Sequence, residues 1–177
     1  MLIAKEKRKE NIAEYILYMW QVEDTIRACN FDIDLLEKRI ISQFSESPRI
    51  KNDIKEWYVD IILMMHEEGL KDSGHLKMLN SLIKELNDLH LNLIHEKKDP
   101  QYLEQYYWAV PNIRDFEKRL EGKTKNEVET CLSALYALLL LRLQKKDVSR
   151  ETLEAMQTFS NVLALLSIWF KKNENRK

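Results

Sequence analysis

Glycine and proline are scarce in this 177-residue sequence, with three of each. A β-sandwich or barrel needs turn residues about every 8–12 positions, so this scarcity excludes both. It also leaves no glycine-rich loop to cradle a phosphate. Cysteine is rarer still: Cys29 and Cys131 stand far apart in apolar stretches. One disulfide between them is open in principle, but they read better as small buried hydrophobes in a reducing compartment. Long apolar runs are missing too. The longest, residues 134–141, is closed by Arg142, whereas a membrane helix needs ~20 residues. Charge appears almost at once at the N-terminus (Lys5, Lys7, Arg8, Lys9) and no apolar h-region follows, so a signal peptide is not expected. These absences lead us to expect a cytoplasmic protein without membrane association.

What is present suits a packed helical domain. Apolar residues make up 45% and charged residues 32%, with a net charge of −1, which is enough apolar content for a core and argues against disorder. A chain of this length buries roughly two-thirds of its unfolded surface and needs no metal or disulfide staple. Apolar positions recur at helical spacing nearly throughout. The first predicted helix covers about residues 5–28, and Asn30 or Asp32 caps a short second one. Ser47–Pro48 and Asp99–Pro100 are start signals, because proline in the first turn loses no needed hydrogen bond. Gly69 and Gly122 mark helix ends, and residues 70–74 form the most loop-like internal stretch. Pro111 falls inside the fifth helical pattern and should kink or split it near Val110. Thr124 with Glu127 reads as a capping box, and Ser149 caps the last helix. Short connections between long amphipathic helices favour antiparallel neighbours. The expected fold is all-α: a single domain over residues 1–177, an antiparallel up-down bundle of about six to seven helices, with the fifth broken at Pro111.

Signatures of chemistry are few. Helical metal ligands want a spacing of three or four, but His90 and His95 are five apart and point about 140° from each other. No Glu-x-x-His unit of the di-iron bundles occurs; the nearest echo is Asp72-x-x-His75, in a predicted loop. We therefore expect neither metal nor cofactor, and we assign no catalytic residue. Three polar residues interrupt apolar stripes: Glu23 between Met19 and Ile26, His90 between Leu86 and Leu93, and Arg142 among Leu135, Leu139 and Leu143. A buried unpaired charge costs several kcal/mol, so each should find a partner or border a wet cleft. Arg27, one turn beyond Glu23, is a candidate partner. The sharper reading makes Glu23, Arg27, His90 and Arg142 a polar pocket for a small ligand, with an anion as one candidate. The blander reading makes them an internal salt-bridge network, or side chains snorkelling at stripe edges.

Aromatic residues gather in YLEQYYWAVP, where Tyr102, Tyr106, Tyr107 and Trp108 surround much of a helix beside a proline. Such a helix must bury more than one face, which suits a subunit contact or groove wall. Residues 1–10 carry net +2 and residues 171–177 net +3, leaving −6 for the body of a chain whose total is −1. Both basic ends are candidates for fraying. An acidic body argues against non-specific nucleic-acid binding.

The opening MLIAKEKRKENIAEYILYMWQVEDTIRACNFDID and the stretch TCLSALYALLLLRLQKKDVS resemble a bacterial family of all-helical, single-domain proteins of unknown function. The resemblance implies a helical fold and a cytoplasmic bacterial protein, and it brings no activity, cofactor or catalytic residue. From the residues themselves, we expect a non-enzymatic module that associates with itself or with another protein. The alternative is a ligand-binding or enzymatic bundle built around Glu23, His90 and Arg142.

Overall fold

The computed structural model describes residues 2–175. Arg176 and Lys177, part of the basic C-terminus, lie outside the described residues. Among the described residues the chain is all-helical, with eight α-helices, one 3₁₀ turn and no strand. Its internal contacts divide into two compact units, one of residues 1–9 and 14–81, the other of residues 10–13 and 82–177.

The first unit holds α1 (Leu2–Glu10), most of α2 (Ile12–Ala28), α3 (Ile33–Arg39), the 3₁₀ turn Ile41–Gln43, α4 (Pro48–Glu67) and the first turn of α5 (Lys77–His95). Its core contains Ile16, Met19 and Ile26 of α2, Leu36 of α3, Ile54, Ile61 and Met65 of α4, and Leu76 and Leu79. Caps fall where short polar side chains precede apolar runs. Asp32 accepts from the amides of Asp34 and Leu35, and Ser47 from that of Ile50. Gly69 ends α4 at φ +69°, a left-handed conformation that costs glycine little.

The second unit holds the rest of α5, α6 (Pro100–Arg119), α7 (Glu127–Leu143) and α8 (Arg150–Glu174). Gln105 of α6 accepts a bond from Asn161 of α8, while Arg119 and Glu151 line one groove. Rising numbers on α6 therefore meet falling numbers on α8, and the two run antiparallel. Phe159, Val162, Leu163 and Leu166 of α8 face the core, together with Tyr102, Ala109 and Ile113 of α6.

Four local expectations change. The predicted first helix is two, α1 and α2, separated at Asn11. Asn11 spends its side chain as an acceptor for the Ala13 amide and the buried Ser167 hydroxyl. Pro111 does not break the fifth predicted helix, since α6 runs unbroken from Pro100 to Arg119. Pro111 and Tyr107, whose carbonyl loses its partner, both lie on an exposed face, so water can replace the lost donor. The cap of α7 is Asn126, which accepts from Glu129 at 2.8 Å, while Glu129 reaches back to the Lys125 amide. The capping box thus sits two residues later than the Thr124–Glu127 reading, and Glu127 is released for another role. Finally, α7 is apolar all round, so periodicity misplaced its inner face. Val128, Thr130, Cys131, Leu132, Ala134 and Leu138 are buried, whereas Leu143 is 58% exposed.

Candidate functional site

Each unit buries an ionisable side chain in a polar cluster. In the first, Glu23 projects from α2 and is wholly sealed from water. Its Oε1 accepts the Leu76 amide at 2.9 Å, and its Oε2 lies 2.6 Å from His75 Nδ1. The Glu68 carboxylate accepts the Lys77 amide at 2.7 Å. Two carboxylates thus serve the first amides of α5, where the helix dipole favours negative charge. Arg27, one turn after Glu23, does not pair with it. Its guanidinium donates to Asp24 at 2.9 Å and to the backbone carbonyls of Leu70 and Gly74. Arg27 therefore holds both ends of the 70–74 loop. His75 stacks on Trp20, with ring centroids 4.3 Å apart and planes 16° from parallel.

The second cluster centres on His90 of α5, only 2% exposed. Its Nε2 lies 3.1 Å from Glu127 Oε2 on α7, and its Nδ1 lies 2.6 Å from the Tyr102 hydroxyl on α6. A carboxylate only accepts, so Nε2–H donates to Glu127 and Nδ1 accepts from Tyr102. Tyr106 packs its ring edge-on against His90 at 5.1 Å. The bond from His90 holds the Glu127 carboxyl below its ordinary range, with Tyr106 and Arg114 acting in the same direction against partial desolvation. Burial drives the Tyr102 hydroxyl well above its ordinary pKa, and burial with the neighbouring Glu127 pushes Tyr106 up to about 12. Burial likewise raises the Cys131 thiol, making it inert. Both cysteines are free and buried.

The residues singled out from sequence therefore separate. Glu23 and Arg27 belong to one unit and His90 to the other, each with partners of its own. Arg142 lies on an exposed face of α7 and makes no ion pair among the described residues. The stripe it interrupted is the outer one, which is why it needs no buried partner. The aromatic group also divides. Tyr102 is fully buried, Tyr106 is half-buried, and Tyr107 and Trp108 are 65% and 69% exposed. Sequence reasoning missed His75, Tyr102 as the hydroxyl partner of His90, and Thr130, which is buried and bonded to Thr124 and the Asn126 carbonyl.

Grooves on the surface include one in each unit with an apolar lining. One of about 250 Å³ in the first unit is lined by Ile3, Phe44, Ile50 and Ile54. One of about 350 Å³ in the second has Phe116, Leu138, Met156 and Phe159 on its floor. No group of three or more His, Cys, Asp or Glu among the described residues is placed to hold a metal ion. No helix of the described residues is long and apolar enough to cross a membrane.

A family model described as a domain of unknown function, DUF4924, matches residues 1–177. The chain belongs to this family. No curated protein and no solved structure matches it. The DUF4924 match spans both units.

Proposed function

We propose that this DUF4924 chain is a non-enzymatic interaction module that associates with a second copy of itself through the outer face of α6. The observation that carries this reading is the adjacent pair Tyr107 and Trp108, at 65% and 69% exposure, beside the exposed Pro111. Two neighbouring aromatic rings left in water are costly, and such residues anchor interfaces. The closed partner sets of Glu23 and His90 support it indirectly, because neither cluster leaves an open polar cavity. The free, buried cysteines fit a reducing, cytoplasmic setting.

Sedimentation over a dilution series tests the proposal. The native chain should shift from dimer to monomer on dilution, and the Tyr107→Ser/Trp108→Ser double variant should remain monomeric with unchanged helix content. A native chain that is monomeric at every concentration ends the reading. The alternative, a small-anion pocket using Glu23, Arg27, His90 and Arg142, is weakened by the exposure of Arg142 and by the internal partners of the other three.

A further inference from the structure

His75 is held at every point but one. Its Nδ1 is bonded to Glu23 at 2.6 Å, its ring lies on Trp20, and its carbonyl accepts from Asn80 Nδ2 at 2.8 Å. The amide of the next residue is fixed by the same Glu23 carboxylate, and the carbonyl of the preceding residue by Arg27. Glu23 is sealed while His75 remains 30% exposed. Because a carboxylate only accepts, a ring proton sits on Nδ1, and the neutral ring therefore carries its lone pair on Nε2. No protein group among the described residues bonds Nε2. A carboxylate behind an imidazole fixes the tautomer and strengthens the outward nitrogen as a base or nucleophile.

Three uses of such an atom can be weighed. Metal coordination asks for further ligands, and no cluster of three or more is placed to supply them among the described residues. General-base work on a small substrate asks for a cavity, and five grooves found among the described residues are all lined by other residues. Accepting a group from a donor that arrives from solvent asks only for a reachable, oriented nucleophile. Acyl groups on imidazole are quickly lost to water, whereas phosphoryl groups persist longer. We propose that His75 Nε2 is a phosphoryl acceptor, loaded by an activated donor such as a phosphoramidate or an acyl phosphate. The neighbouring charges are mixed. Lys71, Asp72 and Lys77 are exposed, Glu68 is engaged by the Lys77 amide, and Asp24 is engaged by Arg27.

In the step, the Nε2 lone pair forms the N–P bond as the bond from phosphorus to the leaving group breaks. The leaving group departs with that electron pair, as a carboxylate from an acyl phosphate or as ammonia, after taking a proton from water, from phosphoramidate. Nothing is oxidised or reduced. The positive charge placed on the ring is met through Nδ1–H by Glu23. This inference does not depend on the α6 face.

The test incubates the full chain with phosphoramidate and follows intact mass and phosphorus NMR. One phosphoryl group on Nε2 of His75 is expected. His66 and His95, which are also exposed, serve as internal controls and should react about tenfold more slowly or less. His75→Gln should abolish the signal. Glu23→Gln keeps an acceptor for the Leu76 amide but turns an amide donor toward Nδ1, moving the ring proton to Nε2, so labelling should fall about tenfold. Nitrogen NMR of the native chain reads the tautomer directly, whether or not that variant folds. Equal labelling of His66 or His95, undiminished labelling in folded Glu23→Gln, or a native proton on Nε2 would each overturn the proposal.

Discussion

The two polar clusters use the same pair of groups in opposite order. In the first unit the carboxylate of Glu23 is sealed and the imidazole of His75 is 30% exposed. In the second the imidazole of His90 is 2% exposed and the carboxylate of Glu127 is 32% exposed. Which member faces water decides what each can do. A sealed carboxylate needs several donors, and Glu23 finds them in a backbone amide and a ring nitrogen at the start of α5. A sealed imidazole needs one donor and one acceptor, and His90 finds both in side chains from two other helices. The first arrangement leaves a ring nitrogen outward, whereas in the second both ring nitrogens are engaged and the Glu127 carboxylate takes bonds from His90 and Tyr106. The second ties three helices together.

Substitutions separate the two by size of effect. Glu23→Ala removes the acceptor of both the Leu76 amide and His75 Nδ1–H and should cost about 3–5 kcal/mol in urea unfolding, because buried polar groups lose their acceptor. A cost below about 1 kcal/mol would show that the sealed carboxylate is not integral to the first unit. His90→Leu should cost about 2–3 kcal/mol by orphaning the Tyr102 hydroxyl. Adding Tyr102→Phe should recover part of that loss, with a coupling of about 1 kcal/mol in the double-mutant cycle; strict additivity would deny the bond.

Acid titration distinguishes the clusters differently. Glu127 is held below its ordinary pKa of 4.5 in the folded chain. Its contribution is therefore complete above that value and is lost as pH falls through the lower, folded value. Stability measured against pH should lose this acid-sensitive component in Glu127→Gln. At the alkaline end the sign reverses. Burial pushes Tyr58 and Tyr106 up to about 12 from 10.0, so their contribution is complete below pH 10.0 and lost as pH rises toward about 12. The part of the phenolate absorbance that Tyr58→Phe removes should rise together with unfolding and not before it. The smallest effect belongs to Arg142→Met, within about 0.5 kcal/mol, as for an exposed residue outside both clusters.

Much of the fold was legible because caps and periodicity are local properties. Ser47, Asp99 and Ser149 each accept the amide three residues on, as a short polar side chain ahead of a helix should. Glu23 and His90 also declared themselves, because polar atoms inside an apolar stripe must be paired when buried. Their partners did not, since His75, Tyr102 and Glu127 lie 52, 12 and 37 residues away and no local spacing reports such meetings. Arg142 misled for the opposite reason. A helix apolar on every side has no periodicity strong enough to say which stripe turns inward, so the outer one was chosen.

The unbroken course of α6 through Pro111 bears on synthesis at the ribosome. A proline-bearing segment is a poor helix alone, so its continuity draws on α7 and α8, which pack against it and follow it in the chain. Residues 100–119 must therefore leave the exit tunnel unsettled and wait for residues 150–174. During that interval Tyr102 is bare, and a chaperone that grips aromatic segments has its best opportunity there.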